Sequence, residues 1–266
     1  MIDPHNQIEI GQKHLLIPLI IGGDITGQAR RKPGTDHEPI LVPGFAKSNV
    51  CEKSEFCSLA KMMGYVLVLP EMLKSVYSSG FYNETRADWR RYPTLHWITD
   101  TLIPYCRLHF HLLERGDPNF LYGISTGARG VALVAENTDS LVLAGAALSG
   151  DYDQTSMPDD KLMTGSYGPY QKFRDRWKGK DNPFLHSDSL KIPLFLAHGK
   201  KDALVPCSQT IAFYNKIATE NPGKDHVLQL CDTCGHNYAF WNSRTKSVFD
   251  FFSKADKRFP KKGETH

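Results

Sequence analysis

Phe120-Leu121-Tyr122-Gly123-Ile124-Ser125-Thr126-Gly127-Ala128 decides how this chain is read. Its apolar opening reads as a strand, and the small residues from Ala128 to Ala135 read as a helix. Ser125 sits on the sharp turn between them. Glycine suits positions 123 and 127 because the turn is tight and the helix packs close, leaving no room for larger side chains. A turn of this kind carries its serine beyond the carboxyl end of the strand.

Working outward, apolar runs predict strands at Pro39 to Val42, Tyr65 to Leu69, Phe120 to Ile124, Leu141 to Leu148, Ile192 to Ala197 and His226 to Leu230. Spacings of three and four predict helices over Glu52 to Met63, ended by Gly64, and over Leu95 to Leu112, bent at Pro104. Further helices are expected at Thr126 to Glu136, at Gln209 to Thr219, and from Ser243, as N-cap, to Phe259. The first 38 residues read as edge strands, Gln7 to Ile10 and His14 to Ile21, followed by a turn-rich loop. Near-continuous apolar strands alternating with helices predict an α/β fold: a mostly parallel central sheet with helices on both faces. In such sheets reactive groups gather beyond the carboxyl ends of the strands.

Three residue types meet there. Ser125 follows one strand, Asp202 lies in His198-Gly199-Lys200-Lys201-Asp202 after the next-but-one, and His236 lies in Cys234-Gly235-His236 after the last. A serine hydroxyl is a poor nucleophile until an imidazole takes its proton. The imidazole in turn needs a carboxylate on its other nitrogen. The plainer alternatives are a helix cap, a surface-turn acid and a structural histidine. An oxyanion would need two backbone donors: the N–H of Thr126 at the helix start, and one from Pro43-Gly44-Phe45, for which Phe45 is the candidate.

From about residue 39 to 252 the chain resembles the α/β-hydrolase superfamily. The marks are Val42-Pro43-Gly44-Phe45, Gly64-Tyr65-Val66 with Pro70, Gly123 to Gly127, His198-Gly199 through Asp202 to Val205-Pro206, and Gly235-His236. Asn182-Pro183-Phe184 through Val205-Pro206 is similar to the esterase and prolyl-oligopeptidase-like branches, with dienelactone-hydrolase-like enzymes close by. Ser149-Gly150-Asp151-Tyr152-Asp153 is similar to a stretch of some small esterases. Two departures stand out. Pro43-Gly44 replaces the usual His-Gly, and Ala128 stands where the peptidase branch carries glycine. That branch also has a propeller domain, for which this chain is too short. The resemblance implies a serine hydrolase cleaving a carboxylic ester, with amide and thioester less favoured, through an acyl-enzyme on Ser125. It calls for no metal or other cofactor. A non-catalytic binding protein of the same fold and an acyltransferase are the alternatives.

The chain reads as a single domain, 1–266, with 151–190 a small cap or lid insertion. Tyr152, Tyr170 and Trp177 in that insertion are expected to touch substrate, while its basic residues read first as solvated surface and second as a face for an anionic substrate. The arginines and aromatics of the loop from Glu71 to Pro93 read first as structural, and second as an opposite wall of the site whose arginines could grip a carboxylate or phosphate. Cys231 and Cys234 read first as two ordinary thiols and second as a short-loop disulfide beside His236.

At 266 residues, 41% hydrophobic and 23% charged, with net charge +3, the composition is ordinary for a globular domain. The expected partner is a small-molecule ester or acyl compound, with no nucleic acid. No run is long enough to span a membrane, and Leu15 to Ile21 makes a poor signal peptide. A cytoplasmic location is expected, with a secreted mature chain as the alternative.

Overall fold

The structure is a computed structural model, and it describes residues 19–20, 38–42, 50–70, 75–90 and 93–256. Its strands are β1 (Leu19–Ile20), β2 (Glu38–Val42), β3 (Leu67–Val68), β4 (Asn119–Ile124), β5 (Val142–Leu148), β6 (Leu194–Gly199) and β7 (Val227–Cys231). Among the described residues they form one sheet in the order β1-β3-β2-β4-β5-β6-β7. β1 runs antiparallel to β3, and all other pairs are parallel. The sheet is therefore mostly parallel, and β4, which carries Ser125 at its end, lies in the middle.

Helices cover both faces. They are α1 (Val50–Lys53), α2 (Phe56–Met62), α3 (Thr94–Trp97), α4 (Ile103–Phe110), α5 (Thr126–Glu136), α6 (Lys161–Tyr167), α7 (Arg174–Trp177), α8 (Cys207–Glu220) and α9 (Tyr238–Ala255). The strand period of two divides the core into two layers. Leu121, Leu194 and Leu196 pack on one face with Ile98, Leu102, Val131, Phe213 and Ile217. Phe120, Tyr122, Phe195 and Ala197 pack on the other with Phe56, Tyr65, Phe249 and Phe252. All residues of β4 and β6 are buried, which is why their sequences lack polar alternation.

Several elements differ from the sequence expectation, each for a local reason. The helix expected over Glu52 to Met63 is split into α1 and α2. Ser54 Oγ donates to the Val50 carbonyl (2.7 Å) and accepts the Phe56 N–H (3.3 Å), competing with the helical ladder. A Cys51–Cys57 disulfide spans the break. Ahead of Pro104 the helix widens into a π turn, Ile98–Leu102. That turn contains Asp100, the residue whose carbonyl the proline ring would otherwise strike. The last helix starts at Tyr238, five residues before the expected cap. Asn237 caps it, its Oδ1 accepting the Phe240 N–H at 3.0 Å. The expected strands Gln7 to Ile10 and most of His14 to Ile21 lie outside the described residues.

Between β5 and β6 the chain holds α6, α7 and two short 3-10 turns. It packs on the loop before α3: a Cβ at Gly165 would lie 2.6 Å from the Trp89 ring, and Arg176 pairs with Glu84.

Candidate active site

Ser125 joins β4 to α5 with φ 56° and ψ −130°, a backbone strained for a residue with a side chain. Its surroundings hold it there. The Ser125 N–H donates to the Leu148 carbonyl at 2.9 Å, and the Ser125 carbonyl accepts the Ala128 N–H at 2.9 Å. A Cβ at Gly123 would lie 2.1 Å from the Gly127 carbonyl oxygen, so the strand and helix close on each other only with glycine at 123.

The turn after β6 presents Asp202. Its Oδ1 accepts the N–H groups of Leu204 and Val205, each at 2.9 Å. Its Oδ2 takes His236 Nδ1 at 2.6 Å and faces His198 Nε2 at 3.2 Å. Burial acts to raise the Asp202 pKa. The hydrogen bonds from His198, His236, Val205 and Leu204 outweigh it and hold the carboxyl well below the usual carboxylate range. His198 is itself fully buried between Thr210 Oγ1 (2.6 Å) and the Val205 carbonyl (3.0 Å).

His236 stands between the other two. Because Asp202 is an acceptor, Nδ1 carries the proton and the Nε2 lone pair faces Ser125 Oγ at 2.9 Å. The Trp241 ring meets the imidazole edge-on at 5.1 Å, and Trp241 Nε1 donates to Ser149 Oγ at 3.0 Å. Cys231 and Cys234, just before the histidine, form a disulfide, where two thiols were the first expectation. The Cys231 and Cys234 carbonyls accept the N–H groups of Lys200 (2.8 Å) and Lys201 (2.9 Å). The histidine loop and the Asp202 loop are thus laced together.

A cavity of about 320 Å³ opens over these residues, lined by Ser125, Thr126 and His236 with Asp151, Met157, Asp160, Leu162, Met163, Leu204 and Val205. Thr126 is the first residue of α5, so its N–H lacks an intrahelical acceptor. Phe45 lies outside the described residues.

The aromatic residues expected to touch substrate lie elsewhere. Tyr152 is fully buried and stacks on Phe213, ring centroids 4.2 Å apart. Trp177 is fully buried, its Nε1 donating to the Gly168 carbonyl at 2.9 Å. Tyr170 packs edge-on against Trp177 at 5.3 Å. None of the three lines the cavity: Tyr170 and Trp177 pack together within the 151–190 segment, and Tyr152 packs on α8. Asp151 and Asp160 line it instead. Asp151 follows the end of β5, so the rule that located Ser125 also reaches it. Burial pushes its carboxyl up to about 6. Among the described residues, no group of His, Cys, Asp and Glu could hold a metal ion.

The order of elements, the strained serine turn after β4 and the loops after β6 and β7 are those of one fold. The chain has the α/β-hydrolase fold. It resembles a fluorophosphonate-binding serine hydrolase, FphF, of Staphylococcus aureus (TM-score 0.65, 15% identity, 86% of this chain and 88% of that one). It also resembles an S-formylglutathione hydrolase from Agrobacterium tumefaciens (TM-score 0.66, 15% identity, 86% of each chain). It matches the acylaminoacyl peptidase of Pyrococcus horikoshii with TM-score 0.67 and 17% identity, over 87% of this chain and 39% of that one. A curated relative, Esterase LipQ of Mycobacterium tuberculosis, is 27% identical over 170 residues, 52% of this chain. The match spans 37% of that relative's length. No family model matches the chain. Among the described residues, no helix is long and apolar enough to cross a membrane.

Proposed function

We propose that this chain is a serine hydrolase that cleaves a carboxylic ester through an acyl-enzyme on Ser125. The observation that carries the reading is the imidazole of His236, 2.9 Å from Ser125 Oγ on one side and 2.6 Å from Asp202 Oδ2 on the other. In this tautomer His236 takes the hydroxyl proton as Ser125 attacks the carbonyl carbon. The resulting imidazolium is stabilised by Asp202, which the surrounding N–H groups keep ionised. His236 then gives the proton to the leaving alcohol. Water, deprotonated by the same imidazole, releases the acid and restores the serine. The N–H of Thr126 is proposed for the oxyanion, and that of Phe45, which follows β2 in the sequence, as its companion. An ester is favoured over an amide because the curated relative is named an esterase. The 151–190 segment serves as a small cap: it supplies Met157, Asp160, Leu162 and Met163 to the cavity wall.

Hydrolysis of p-nitrophenyl butyrate and labelling by a fluorophosphonate test the reading. Ser125→Ala should abolish labelling and lower kcat by about 10⁴-fold or more while the chain stays folded. Undiminished hydrolysis in a folded Ser125→Ala variant sinks the proposal.

A further inference from the structure

Asp151 is 3% exposed, yet it forms part of the wall that Ser125 and His236 share. Its Oδ2 accepts no hydrogen bond, and Arg129 Nη1 lies 3.6 Å away. Arg129 is largely committed to other groups. It donates to the carbonyls of Val76 (3.1 Å) and Asp181 and to Gln154 Oε1 (2.8 Å), and lies 3.5 Å from the Tyr167 hydroxyl. A second buried carboxylate, Asp181, also faces this guanidinium, with one oxygen unpaired. One buried cation therefore serves two buried acids. Asp160 lies on the cavity wall too, its Oδ1 turned to the N–H groups of Leu162 and Met163. Among the described lining residues there is no lysine or arginine, and beyond Ser125, Thr126, His236 and the two acids they are aliphatic or thioether side chains. The cavity combines excess negative charge with an apolar body.

We propose that this cavity selects esters whose acyl part carries an ammonium group, with Asp151 as the residue that binds it. The proposal rests on the hydrolase reading above. An ammonium in the cavity brings the positive charge that the two buried acids share too thinly, to a carboxylate whose Oδ2 accepts no hydrogen bond and has only Arg129 as a distant partner. A buried acid left without such a donor discriminates strongly against the analogue that lacks the amine.

The test compares the benzyl esters of alanine, β-alanine and propionate, which match in size and differ in the amine. At least one amino ester should show a kcat/KM about tenfold or more above the propionate ester. In Asp151→Asn that ratio should collapse toward one. In the native chain, propylammonium at pH 8 should inhibit competitively at concentrations where propanol does not, a measurement that needs no variant. Equal or better turnover of the propionate ester overturns the inference and leaves the hydrolase reading intact. So does an equal fall for all three esters in Asp151→Asn, which would make Asp151 only the counter-ion of Arg129. Failure of every ester together with absence of fluorophosphonate labelling overturns both.

Discussion

Replacing Asp202 with asparagine keeps the size of the side chain and removes its charge. The N–H groups of Leu204 and Val205, each 2.9 Å from Oδ1, can be met only by the amide oxygen. The NH₂ then occupies the place of Oδ2, facing His236 Nδ1 and His198 Nε2. His198 Nε2 carries a proton because its other partner is the Val205 carbonyl, so two donors confront each other there. His236 can adapt by moving its proton to Nε2, but that N–H then points at Ser125 Oγ. In that tautomer the imidazole has no lone pair for the hydroxyl proton. The loss is about 10⁴-fold in kcat, or about 5.5 kcal/mol of activation free energy. The opposed donors cost a further ~1–3 kcal/mol of folding stability. Steady-state hydrolysis of p-nitrophenyl butyrate at pH 8, with urea unfolding of the same sample, reads both quantities. A folded Asp202→Asn variant with kcat within tenfold of the native chain would refute the tautomer argument.

Three other perturbations have defined outcomes. Gly123→Ala puts a Cβ 2.1 Å from the Gly127 carbonyl oxygen; it should destabilise the fold by about 3 kcal/mol and distort the serine turn, and native-like urea unfolding would contradict this. Reducing Cys231–Cys234, or the double serine variant, removes a tether worth about 2 kcal/mol for so short a loop; hydrogen exchange should rise at 231–236, and unchanged exchange there would deny the tether a role. Burial lowers His226 from its ordinary 6.5 to about 4, and its neutral Nδ1 accepts the Leu194 N–H at 3.1 Å. The unfolded chain gains that proton near 6.5 and the folded chain only near 4, so stability present above 6.5 drains away as pH falls between those values. Tm measured across this range should drop, and His226→Asn, whose amide oxygen can still accept from Leu194, should flatten the slope; an identical slope would exonerate His226.

The sheet and its helices were legible because burial on both faces leaves apolar runs that flanking glycines and polar turns delimit. Ser125, Asp202 and His236 were legible for a related reason: each follows such a run directly, and a parallel sheet delivers all its strand ends to one rim. The irregular segment between β5 and β6 was harder to read. It has no long period to say which side faces inward, so Tyr152 and Trp177 looked like pocket aromatics although both are sealed in the interior. Asp151 escaped notice for the converse reason, since an acid in a loop reads as wet until the fold buries it. The split at Ser54 and the Asn237 cap depend on side-chain to backbone bonds that compete within one turn. The Cys231–Cys234 disulfide was open to the local spacing only as a second reading, and the backbone bonds that tie its loop to the Asp202 loop lie in no local pattern.

The docking of α9 behind the histidine sets a schedule. Ser125 and His236 are separated by 111 residues, and the indole of Trp241 braces the imidazole from the far side. During synthesis the serine turn and its flanking strands leave the ribosome first, while the groups that would activate the hydroxyl are still being added. A nascent polypeptide stalled before residue 236 has no imidazole to place beside Ser125 Oγ and therefore carries an unactivated alcohol. On the proposed function, chemical competence therefore comes late, with the last loop and the helix that follows it.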